Sequence, residues 1–152
     1  MNMEDLYQQM ILDHNRSPRN FRPMDAPTHR ARGYNPFCGD EYEIFLQVDD
    51  AGTIRDAAFQ GHGCAISKAA ASLMTDELRG KTVAGARELF DAFQLVVTGH
   101  HNTLPDPARI GKLGVFKGVS QYPSRIKCAV LCCHAARSAL DGVAEIDTGS
   151  RL

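Results

Sequence analysis

The sequence predicts an α+β fold, a small three-stranded antiparallel sheet with several helices packed on one face. Three observations carry that expectation. Residues 41–49 alternate apolar and polar side chains and pass through a turn into a second alternating segment, the pattern of a half-buried hairpin. Before and after this region, apolar residues recur at helical spacing. Most of the helical stretches follow the strands rather than alternating with them, an order that segregates helices from sheet.

The elements follow in chain order. Met3, Leu6, Tyr7, Met10, Ile11 and His14 predict an amphipathic first helix over residues 3–14, with Asn2 as N-cap and Glu4 and Asp5 in its first turn. Residues 15–32 contain Pro18, Pro23 and Pro27 without a clear period and read as a loop. A strand is expected at residues 30–34. In residues 41–49, Tyr42, Ile44, Leu46 and Val48 share one face; Asp49-Asp50-Ala51-Gly52 forms a turn, and residues 53–60 complete the hairpin. Ile66, Ala69, Ala70, Leu73 and Met74 predict a helix over residues 65–78, ended by Gly80. Thr82 caps a further helix to about residue 97, with Val83, Ala86, Leu89, Phe90 and Phe93 facing inward. Residues 98–119 are punctuated by Gly and Pro, including Pro105 and Pro107, with a short helix expected around residues 109–113. The last long helix spans residues 123–140, with Ala129, Val130, Cys133, Ala136 and Leu140 inside, and residues 141–152 are expected to fray.

At 152 residues the chain reads as one domain, residues 1–152, long enough to bury a core. Its 43% hydrophobic and 23% charged composition is ordinary for a soluble globular protein. A formal charge of −1 and the lack of a long basic run give no reason to expect nucleic acid as a partner. No stretch approaches the about 18 apolar residues of a membrane span, and the acidic start Met-Asn-Met-Glu-Asp-Leu lacks a signal-peptide profile. Five cysteines is an odd number, and without a secretion signal a disulfide framework is not expected. A cytoplasmic protein with reduced thiols is the expectation.

Those thiols carry the chemistry. Cys38 sits in Asn35-Pro36-Phe37-Cys38-Gly39-Asp40, where Pro and Gly bracket a loop able to bend around an ion. Cys64 follows Gly61-His62-Gly63 and precedes a helix, so helix-terminal N–H groups should favour its thiolate. Cys128 has Arg125 and Lys127 beside it, and positive charge should favour that thiolate too. Each cysteine follows a strand or opens a helix, so all three are expected to converge at one end of the sheet. With Asp40 they make four ligands, the number a tetrahedral zinc or a cluster iron takes. No C-x-x-C knuckle is present, which argues against a zinc ribbon or finger. Ligands drawn from distant segments onto an existing fold suit exchange chemistry. An oxygen donor in place of a fourth thiolate holds a soft ion less firmly.

The runs NPFCGDEYEI, FQGHGCAISKAAASLM and GVSQYPSRIKCAVL resemble the IscU/NifU-type scaffold family of iron–sulfur cluster assembly, and are closest to its SufU branch. The resemblance runs from about residue 7 to about residue 140. It implies a SufE/NifU-like fold, with Cys38, Asp40, Cys64 and Cys128 as metal ligands and the three cysteines as sulfur ligands. It implies a PLP-dependent cysteine desulfurase as partner, and downstream assembly or apo-proteins as recipients. For the SufU branch it implies a zinc-dependent sulfurtransferase in which Cys38 is the catalytic acceptor of persulfide sulfur. The IscU alternative is a scaffold on which a [2Fe–2S] cluster is built and transferred. An insertion at residues 98–119 and Lys127, where the IscU pattern carries histidine, both favour the SufU branch. A purely structural zinc domain is the third reading.

The remaining candidates read as structural. Cys132 and Cys133 are expected to be core thiols, although Cys132 lies one turn past Cys128 and is placed to trap its persulfide. His62 reads as a turn residue, His100 and His101 as exposed loop histidines, and His14 as a satisfied histidine at the core edge. Lys127 and Arg125 are candidates to steer an anionic persulfide or to pair with Asp40. No Cys–His pair with an orienting group supports a cysteine hydrolase.

Overall fold

The computed structural model describes residues 2–104 and 106–148. Helix α1 (Met3–Arg16) leads into strands β1 (His29–Asn35), β2 (Asp40–Val48) and β3 (Ile54–His62), then α2 (Ala65–Leu78), α3 (Val83–Val97), α4 (Pro123–Leu140) and β4 (Glu145–Asp147). The α+β architecture is as the sequence predicts. The sheet, however, has four strands in the order β3-β2-β1-β4, and β4 lies parallel to β1 through Arg32↔Glu145 and Tyr34↔Asp147. The supposedly frayed tail is therefore partly ordered. Thr148 is fully buried and its N–H donates to Tyr34 O at 2.9 Å. Residues 149–152, the rest of that tail, lie outside the described residues.

Local chemistry explains the ends of the helices. Asn2 and Asp5 form a reciprocal capping box at the start of α1, and the Thr82 side chain accepts from the N–H of Gly85 at the start of α3. Pro123 opens α4, where a missing N–H costs nothing. Helix α1 runs two residues beyond its predicted end, and its burial is uneven. His14 is buried, while Met3 and Leu6 remain 60% and 47% exposed. The helix is gripped at its C-terminal half: the Ser72 hydroxyl stands 2.7 Å from His14 Nδ1 and accepts the Arg19 N–H at 2.8 Å. Burial, with Arg19 second, pushes His14 below the usual imidazole range. The ring is thus the satisfied, neutral histidine expected.

The core lies between the helices and one face of the sheet, with Tyr42, Ile44, Leu46 and Phe59 from the strands meeting Leu73, Phe90, Phe93, Ala129 and Ala136. Phe45 points to the other face and is covered there by Arg30, whose guanidinium carbon stands 5.3 Å from the ring centroid. Val48 is only half-buried, because a register irregularity at Gln47/Val48 breaks the alternation. Between α3 and α4 the chain forms 3₁₀ turns at His101–Thr103 and Pro107–Gln121, the second kinked at Gly111, in place of the single short helix expected. His101 is half-buried rather than exposed. Pro105 lies outside the described residues.

Two hairpin connections fix where the functional segments fall. Asn35 pairs with Asp40, so residues 36–39 form the tip of the β1–β2 hairpin. Glu41 pairs with His62, which brings the end of β3 and the start of α2 to the same end of the sheet. His62 is thus a strand residue, not a turn residue. Gly61 makes this approach possible: at φ +142°, a Cβ on it would stand 2.1 Å from Glu41 O and 2.8 Å from Tyr42 Cα. Gly61→Ala is expected to destabilise the fold by about 2 kcal/mol or more, read from the midpoint of denaturant unfolding. An unchanged midpoint would show that the strand end relaxes without cost.

Candidate metal centre

Cys38 is exposed on the β1–β2 hairpin tip, and its loop is organised by Asn35. The Asn35 carbonyl accepts the N–H groups of Cys38 and Gly39 at 3.2 and 2.9 Å. Its side-chain Oδ1 accepts the Phe37 N–H at 3.1 Å, and Nδ2 donates to Cys38 Sγ at 3.4 Å. Gly39 takes the positive φ of 74° that turns the chain back into β2. Asp40, the first residue of β2, is 2% exposed.

Cys64 is the N-cap of α2, and its sulfur accepts the Ser67 N–H at 3.4 Å. Its own N–H donates to Asp40 Oδ1 at 3.0 Å, and its sulfur lies 3.9 Å from Asp40 Oδ2. Gly63 leaves room for this link, since a Cβ there would meet Asp40 Oδ1 at 2.7 Å and Ser67 Oγ at 2.4 Å. The Ser67 hydroxyl also reaches the buried Tyr42 hydroxyl at 3.3 Å. Ser67, Tyr42, Gly63 and the Asn35 side chain were not singled out as site residues by sequence. The signals for two of them were a polar residue three places after an N-cap and an Asn before a hairpin tip.

Cys128, in the second turn of α4, is 6% exposed, and its sulfur stands 3.8 Å from that of Cys38. Ligand atoms of Cys38, Asp40 and Cys128 all lie within 4.8 Å of one another. Cys64 stands outside this tightest trio and joins it through Asp40. Sulfurs about 2.3 Å from a common tetrahedral centre stand about 3.8 Å apart, so the Cys38–Cys128 spacing fits a shared ion. The donor set suits zinc or a cluster iron.

The electrostatics ask for a cation. Cys64 is held at about 6, first by the neighbouring Cys128 thiol and then by the N–H and hydroxyl of Ser67, against the opposing effect of burial. Cys128 is pushed well above the usual thiol range by the Cys64 sulfur, by burial and by Asp40. This overturns the expectation that Arg125 and Lys127 favour its thiolate. The Arg125 guanidinium stacks over Tyr122 at 4.6 Å, and the Lys127 ammonium sits over the exposed Phe37 ring at 5.1 Å. A positive ion among the four donors would remove the penalty on the second thiolate.

Cys132 and Cys133 are core thiols as expected. Their sulfurs approach the carbonyls of Ala129 and Phe90, each at 3.7 Å, and burial raises both well above the usual thiol range. Full burial also removes Cys132 as a trap for persulfide. His62 is 73% exposed at its side chain and 3.8 Å from Glu41. A groove of about 900 Å³ opens onto the cysteines, walled by α1 residues such as Tyr7 and Ile11 and, opposite, by Val119 and Tyr122.

Comparison with known proteins gives matches over most of the chain. The model of the NifU-like N terminal domain matches residues 6–129. The zinc-dependent sulfurtransferase SufU of Bacillus subtilis is 34% identical over 149 residues, covering 98% of this chain and 97% of that protein. The iron–sulfur cluster assembly scaffold protein IscU of Streptococcus pyogenes is 34% identical over 138 residues, covering 91% and 84% respectively. A crystal structure described as a SUF-system scaffold from Fervidobacterium islandicum superposes with a TM-score of 0.81 at 29% identity, covering 91% of this chain and 99% of that one.

Two outcomes are expected of the site. Cys64→Ser and Cys128→Ser should each abolish stoichiometric zinc retention after purification, read by metal analysis; full occupancy in both would dismiss the four-donor site. In the metal-free chain, alkylation of Cys64 should rise to half its maximum near pH 6 as the thiolate forms. Cys128→Ala removes the neighbouring thiol that does most to lower this value, so the midpoint should move upward.

Proposed function

We propose that this chain, which belongs to the NifU-like N-terminal domain family, accepts persulfide sulfur from a cysteine desulfurase at a site made by Cys38, Asp40, Cys64 and Cys128. The observation that carries this reading is the unequal anchoring of the three thiols. Cys64 caps α2 and Cys128 lies within α4, while Cys38 is exposed on a hairpin tip beside Gly39. A thiol fixed in a helix moves only with packed structure, whereas a loop thiol moves by a few backbone torsions. Zinc, when bound, would keep the thiols deprotonated and protected.

Cys38 supplies the nucleophile. Its thiolate attacks the outer sulfur of the partner's persulfide, a new S–S bond forms at Cys38, and the partner's cysteine leaves as a thiolate. The proton balance is neutral, because one thiolate is consumed and one released. The groove beside α1 supplies an apolar approach to this sulfur. Lys127 stands over the Phe37 ring of the Cys38 loop and offers no imidazole to a metal where the IscU pattern carries histidine. That supports the sulfurtransferase reading over the scaffold reading.

The scaffold reading is favoured by the likeness to the Streptococcus pyogenes IscU and by the same donor set. Anaerobic purification separates them: colourless protein with one zinc supports sulfur transfer, and brown protein with iron and sulfide supports a cluster scaffold. Incubating the zinc protein with a matched desulfurase, cysteine and PLP, then mapping persulfides by alkylation and mass spectrometry, should label Cys38 first. Cys38→Ser should stop stimulation of cysteine turnover. Label mainly on Cys128, with Cys38→Ser still active, would overturn the assignment.

A further inference from the structure

Asn35 is fully buried and spends every polar atom of its side chain on the Cys38 loop. The turn itself requires only acceptors, namely the carbonyl toward Cys38 and Gly39 and Oδ1 toward Phe37. An aspartate would satisfy that need equally well. The bond from Nδ2 to Cys38 Sγ lies outside it: the loop does not need this contact to turn, and only an amide in this place makes it. Its acceptor is the exposed sulfur, and an N–H donor holds a charged sulfur more firmly than a neutral one.

We infer that Asn35 is a positioning residue for sulfur acceptance, its side-chain N–H being the point that holds the Cys38 sulfur facing the groove whenever that sulfur is free of other ligands. This rests on the reading of Cys38 as the acceptor. The anchor is rigid because Asn35 closes β1, paired with Asp40 across the hairpin. The moving part is confined to residues 36–39. The Cys38 sulfur meets the Asn35 amide at 3.4 Å in the same position in which it lies 3.8 Å from Cys128 Sγ, so the amide already holds it at the site and keeps it there once it is free of other ligands. A free thiolate on a loop without such a donor would sample many directions, few of them productive.

Asn35→Asp tests this, because it keeps the turn acceptor and replaces the donor by a negative charge. In the full-length zinc protein the thermal midpoint should fall, because the new carboxylate is fully buried beside Asp40, while the chain stays folded and keeps its zinc. Persulfide loading of Cys38 by the desulfurase should fall at least about ten-fold, and alkylation of Cys38 in the metal-free chain should slow while that of Cys64 does not. Loading at the original rate would overturn the inference. A second measurement does not depend on that variant folding. In the ¹⁵N-labelled metal-free chain, the Asn35 side-chain amide resonances should shift on Cys38→Ala and again when Cys38 is persulfidated. Resonances unmoved in both would also overturn it. If the unsubstituted chain carries its persulfide elsewhere, the acceptor reading fails instead, and the two failures are told apart.

Discussion

The bond from the Cys64 N–H to the Asp40 carboxylate is the tie on which the site depends. It joins the first residue of β2 to the first turn of α2, two segments separated by the whole of the second hairpin. Because Asp40 is buried, its carboxylate is costly unless hydrogen-bonded or paired with a cation. The helix N-terminus supplies the first partner, and the thiols around it define a place for the second. One carboxylate thus sets the distance between the Cys64 turn and the Cys38 hairpin. The glycines on either side of His62 are what allow the strands to come that close.

The same crowding explains why the thiols differ. Cys128, the least exposed of the three, is pushed up by the Cys64 sulfur, by burial and by Asp40, while Cys64 is held down at the start of α2. Cys38 is set apart by exposure and by its amide partner. Chemistry that exchanges sulfur needs such inequality: some groups must stay and one must leave.

Much of this was legible in the sequence wherever a local rule acted alone. Helices α2, α3 and α4 lie at residues 65–78, 83–97 and 123–140, as periodicity, caps and proline predict. Strand β4 was missed because three residues are too few to show alternation, and its pairing with β1 is set by tertiary contact. The turns at Pro107–Gln121 bury Ile110, Leu113, Phe116 and Val119, a three-residue spacing that a reading for the α-helical period passes over. The convergence of the cysteines at one end of the sheet followed from their places in the element order. The charge on Cys128 did not, because neighbours in sequence do not face each other on a helix, and Lys127 turns toward Phe37 instead.

The short parallel strand β4 bears on how partners meet this protein. It covers part of the outer side of β1, while on the opposite side Phe59 exchanges backbone bonds with Asn20 and Arg22. Both margins of the sheet are thereby occupied by brief irregular pieces, and the stretch of β1 before β4 begins carries Arg30. Among the described residues, these margins leave little open backbone for another chain to extend as a new strand. Recognition at them would fall to side chains, where shape and charge can discriminate one visitor from another.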